Sequence, residues 1–95
     1  MPLAPGNLHC VSGWSASRPL GPVIEETLSA HVPAEEVRRL YGDVYLVYSD
    51  AGAATLRGWL IPSLEDGESV FVVEFEKWSG YGPAPDRAWL LRRGH

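Results

Sequence analysis

Few side chains in this chain have both the type and the spacing that catalysis needs. His9, His31 and His95 are the three imidazoles, and no two lie three or four residues apart, the separation that sets two ligands over one metal on a helix face. The single thiol, Cys10, is next to His9. A thiolate activated by imidazole is a strong nucleophile, but adjacent residues of a strand project to opposite faces. The pair is therefore expected to stay apart, with Cys10 a small buried thiol. Ser12, Ser15, Ser17 and Ser79 sit in no G-x-S-x-G elbow, and the glycines of "GYGP" do not open a helix carrying Lys and Ser or Thr. Acyl transfer and phosphate cradling thus have no motif here, and no cofactor or metal is expected. One carboxylate pair remains. Glu74 and Glu76 fall on one face of an expected strand, about 7 Å apart, where they would hold a cation, share acid and base work, or form a solvated face. The solvated face is the reading adopted.

Recognition is better represented than reaction. In "FVVEFEKWSGYGP", residues 71–83, an apolar run ends in two aromatics spaced by glycines. Trp78 and Tyr81 are expected to fold back with Trp89 and cap one end of a sheet, the glycines permitting the reversal. In the competing reading, Tyr81 and Trp14 are exposed anchors, since aromatics are enriched at interface hot spots. Trp14, Trp78, Tyr81 and Trp89 are accordingly the interface candidates. Arg38, Arg39, Arg87, Arg92 and Arg93 are expected to serve helix ends and surface ion pairs rather than a phosphate-binding patch. The run "SVFVVEF" lacks the basic-glycine-aromatic opening of an RNA-recognition strand, and Glu74 and Glu76 are expected on its outer face. Nucleic acid is possible as a partner but is not favoured.

The elements that must position these residues follow from periodicity and punctuation. "LHCVSGW" (8–14) reads as a first strand. Pro22 opens a helix through "VIEETLSAH", with Ile24, Leu28 and His31 on one face and Glu25 and Glu26 near its positive end. Residues 32–43 are two-sided: Pro33, early glutamates, late arginines and Gly42 punctuate a helix, while Gly42-Asp43 between "VRRLY" and "VYLVYS" is hairpin chemistry. "VYLVYS" (44–49) reads as an interior strand. Asp50 or Ser49 is expected to cap a helix over 51–60 with Ala53, Leu56 and Leu60 buried, ended by Pro62. "LEDGE" (64–68) is a turn. "SVFVVEFEKW" (69–78) is expected as a strand with Phe71, Val73 and Phe75 on one face and the glutamates on the other. Asp86 then caps a last short helix, and residues 79–95 are expected to pack as a tail on the sheet.

Ninety-five residues suffice for one domain, and 45% apolar with 21% charged residues is a globular composition. Residues 1–7, with two prolines and a glycine, are expected to be a loose leader. The formal charge of -4 comes from mixed acids and bases, which favours solubility over a phosphate-binding stripe. No apolar run reaches membrane-spanning length and no secretory signal opens the chain, so no membrane is expected. With one cysteine, a reducing, cytoplasmic setting is the simplest expectation.

The helix "LRGWLIPSL", the acidic turn "EDGES", the strand "VFVVEF", the segment "WSGYG" and the final "AWL" resemble, in that order, a small bacterial family called SinR-like, over residues 44–91. That family is similar to the CRISPR-associated integration-complex small subunit and to the VapD ribonuclease group. The resemblance implies an α+β, ferredoxin-like β-α-β-β-α-β sandwich: an antiparallel sheet, two helices on one face, and pairing into homodimers through the sheets. It also implies that residues 36–49 form a bent strand or hairpin, because that topology has two strands between its helices. In the nuclease relatives the first strand ends in an Asp that holds a metal. Here it ends in "SGWSAS", with Gly13, Trp14 and Ser15 at that place. A divalent ion would lack its principal oxygen ligand unless Asp43, Asp50 or Glu74 replaced it. The function expected is non-enzymatic, through dimerisation or a protein partner. The alternatives are a divergent metal-dependent nuclease in a toxin or defence setting, and a small acidic inhibitor or antitoxin for a basic groove.

Overall fold

The structure, a computed structural model, describes residues 6–95. Its elements are β1 (Asn7–Trp14), α1 (Gly21–Ser29), β2 (Val37–Tyr41), β3 (Val44–Ser49), α2 (Ala53–Leu60), β4 (Ser69–Phe75) and α3 (Arg87–Leu91), with 3-10 turns at Ala34–Glu36 and Ile61–Ser63. The four strands form one antiparallel sheet in the order β2-β3-β1-β4. Most of the expected leader lies outside the described residues, but Asn7 belongs to β1, where it pairs with Ser49. Among the described residues no helix is long and apolar enough to cross a membrane.

The two-sided stretch resolves into both of its readings. Its helix punctuation survives only as the 3-10 turn at Ala34–Glu36, and residues 37–49 form a β2–β3 hairpin. Gly42 makes the turn at φ +51, a left-handed conformation that costs other residues about 1–2 kcal/mol. A register irregularity between Arg39 and Tyr41 bends β2, the effect of an extra residue opposite its partner strand. β3, flanked by β2 and β1, is buried from Tyr45 to Ser49, which its β-branched and aromatic content suits.

The two helix starts differ from expectation, each in its own way. Asp43 Oδ1 accepts a hydrogen bond from the Gly21 amide at 2.8 Å, so the hairpin turn caps α1. Glu25 lies a turn further in and accepts instead from the Tyr45 hydroxyl at 3.2 Å. Neither Asp50 nor Ser49 caps α2, whose N-cap is Gly52; Ser49 Oγ accepts from the Ala51 amide in the loop before it. His31 lies beyond the end of α1 and stacks on Trp59 of α2, rings 3° from parallel and centroids 4.1 Å apart.

Two hydrophobic clusters sit on the two faces of the sheet. Under α1 and α2, Ile24, Leu28, Leu56 and Leu60 pack against Val11, Tyr45 and Val47, with Val70 and Val72 alongside. On the opposite face Leu8, Leu46 and Tyr48 pack against Trp89 and Leu90 of α3, with Trp78 and Phe75 alongside. The face alternation of β4 is therefore the reverse of a simple core strand. Val70 and Val72 serve the main core, while Phe71, Val73 and Phe75 belong to the side that α3 covers only in part. β4 also stops at Phe75 rather than reaching Trp78, because β1 begins at Asn7 and its last partner on this edge is the Leu8–Phe75 pair.

Candidate interaction surface

The register places an uncovered aromatic row across one end of the sheet. Tyr41 pairs with Val44, Val44 with Ser12, and Ser12 with Phe71, with Trp14 one step beyond on β1, opposite Ser69. At about 4.8 Å between strands this row spans about 15 Å. Trp14 is 61% exposed, Tyr41 60% and Phe71 68%. None of these side chains is charged, and α1 and α2 lie on the other face. Exposure of Trp14 matches one of the two readings of the aromatics. Phe71 and Tyr41 were not among the candidates, although the unbroken apolar run Val70-Phe71-Val72-Val73 already carries the signal of a strand with two apolar faces.

The other end of the same face is sealed. Trp89 is only 3% exposed; its indole donates to the Glu35 carbonyl at 2.9 Å and its ring lies under the Arg93 guanidinium, 4.0 Å away. Arg93 is itself buried, donating to the carbonyls of Trp89 and Glu35 at 2.9 and 2.8 Å and pairing with Glu36. Trp78 is half-buried and donates to the His95 carbonyl at 3.1 Å. Trp78 and Trp89 thus close the sheet, and Trp89 is not presented to a partner. Tyr81 does not join them. It is fully exposed, since the reversal at Gly82, φ +99, leaves it on the outside of the loop.

The carboxylates offered as substitute metal ligands do not converge. Asp43 caps α1 at one end of β3, while Asp50 is exposed past the other end, so the strand separates them by about 20 Å. Glu74 is on the α1/α2 face, its Oε1 3.4 Å from Nε2 of His9, which is wholly buried. Glu76 follows the end of β4, so only Glu74 of the two is a strand residue. Among the described residues no group of three or more His, Cys, Asp or Glu side chains is placed to hold a metal ion. Cys10 and His9 are on opposite faces, Cys10 with the α3 cluster, and burial pushes its thiol pKa up.

Near the end of β1 a carboxylate is found that comes from elsewhere in the chain. The Glu68 side chain, 2% exposed, accepts from Arg18 Nε and Nη2 at 2.7 Å each, from the Glu65 amide at 2.7 Å and from the Ser15 hydroxyl at 2.9 Å. The Arg18 bonds, then the Glu65 amide and Ser15, hold the Glu68 pKa down to about 2. A guanidinium, not a site for a cation, occupies this carboxylate. The arginines are likewise dispersed: Arg38 pairs with Asp86 at 2.7 Å, Arg39 donates to the Gly42 carbonyl, and Arg93 is buried. No protein-family model matches the chain, and no curated protein or solved structure proved similar to it.

Proposed function

We propose that this protein is a non-enzymatic, ferredoxin-like domain that works by pairing with a second copy of itself through the open end of its sheet face. The element order, with its two strands between α1 and α2, and the strand order β2-β3-β1-β4 support the ferredoxin-like reading. The single observation that carries the functional reading is the contiguous row of Tyr41, Val44, Phe71 and Trp14. A patch of this size is on the scale of the largest that a soluble monomer exposes, and such patches often serve a function. Its three aromatics offer about 400 Å² per protomer, about half of what a standard interface buries on each side. An interface of this size fits a weak, reversible homodimer. A two-fold axis through the row brings like residues together without opposing charges.

Sedimentation equilibrium over a concentration series tests this. The expected result is a monomer–dimer equilibrium that Phe71→Ser abolishes without lowering the unfolding midpoint of the monomer, because the side chain is mostly in water. A monomer at high micromolar concentration would overturn the reading. So would quenching of Trp14 fluorescence by a single-stranded oligonucleotide at physiological salt, since the row would then be a base-stacking platform.

A further inference from the structure

We propose that the cavity between the sheet and the C-terminal tail is a binding site for a small amphipathic carboxylate, its apolar part inside and its head group at Lys77. The cavity has a volume of about 310 Å³. Its floor is Cys10, Leu46 and Val73 of the three strands β1, β3 and β4, and its walls are Trp78 just before the tail and Pro85 and Leu90 within it. That is roughly twice the ~150 Å³ apolar cavity that accepts benzene, enough for about ten to twelve non-hydrogen atoms. The walls fix the apolar half of the ligand, as in most small-molecule sites.

The charge of the head group follows from the rim. Lys77 lines the cavity mouth with Ser79, and no Asp or Glu lines it. Lys77 is the only lysine in the sequence and, among the described residues, is in none of the ion pairs. In a chain of formal charge -4, an unpaired ammonium at the mouth of an apolar cavity selects an anion with a hydrocarbon body over a cation or a sugar. The Cys10 thiol on the floor stays neutral, since burial raises its pKa, and adds no competing negative charge.

Cys10 is also the single thiol of the chain, so its alkylation rate reports on this cavity alone. Octanoate is a suitable probe, with octanol and octylammonium as neutral and cationic counterparts. Iodoacetamide labelling of Cys10, followed by intact mass, is expected to be lost at saturating octanoate, with weaker protection by octanol and none by octylammonium. Lys77→Met, at an exposed position, is expected to weaken octanoate about 5-fold and leave octanol unchanged. Phe71→Ser is expected to leave octanoate protection intact, which separates this cavity from the open aromatic row and from self-association. Absence of protection by octanoate, equal protection by octylammonium, or loss of protection in Phe71→Ser would overturn the proposal.

Discussion

Arg93 shows how far a single side chain can reach in a small protein. Its guanidinium spans from the Trp89 ring and carbonyl in α3 to the Glu35 carbonyl and Glu36 carboxylate before β2, with almost none of it in water. Removing one partner of such a buried, hydrogen-bonded pair strands the other, so Arg93→Met is expected to lower unfolding free energy by about 3 kcal/mol in urea titrations. Lysine would not rescue it fully, because an ammonium cannot reproduce the planar fork that serves two carbonyls and a carboxylate at once. His9 is the opposite case. It is wholly buried, neither ring nitrogen makes a hydrogen bond, and Glu74 stands at ion-pair distance only. A buried polar group in that condition is a liability, and His9→Leu is expected to raise stability at neutral pH by about 1 kcal/mol. A destabilised His9→Leu in the same titration would mean that the imidazole is doing something the packing alone does not require.

Between elements, the joint that matters most is the one around Glu68, which ties the loop after β1 to the turn before β4 through Arg18 and Ser15. Its folded-state pKa, about 2, is below the ordinary 4.5, so the folded state binds the proton less readily than the unfolded chain. The stabilisation it provides is therefore complete above about pH 4.5 and is lost as pH falls toward 2. Urea midpoints measured across that window are expected to fall with acid, and Glu68→Gln is expected to flatten this part of the profile while lowering the midpoint at neutral pH. An unchanged slope in Glu68→Gln would assign the acid sensitivity to another carboxylate. The acid that Ser15 meets at the end of β1 comes from a turn some fifty residues away and is already neutralised by arginine.

At the scale of the molecule, one sheet has one well-covered face and one half-covered face, and the uncovered half is uncharged while the chain as a whole carries -4. Association through that half brings two like net charges together, so salt is expected to strengthen it slightly by screening the repulsion. Binding to a nucleic-acid strand would weaken steeply with salt instead, because counterions are released. Sedimentation equilibrium at low and moderate salt separates the two by sign. Tighter association at low salt would point to ion pairing between copies and away from the aromatic row.

The sequence by itself determined the elements. Its periodicities located β1, β3, β4 and both main helices, Gly42-Asp43 offered a hairpin beside an equally punctuated helix over residues 32–43, and Asp86 was legible as the cap of α3, which it is, accepting from the Trp89 amide. These are local quantities, set by backbone propensity and by side chains a few residues apart. Only the tertiary structure decided which face of each element is used. Whether Phe71 is core or surface depends on how far a tail more than ten residues downstream extends over the sheet. Whether Trp89 is an anchor or a seal depends on Arg93 and Glu35, and whether Asp43 is a ligand or a cap depends on where α1 begins. A strand with two apolar faces records that both are shielded from water somewhere, but burial is a property of what lies opposite, and no residue carries that information about itself.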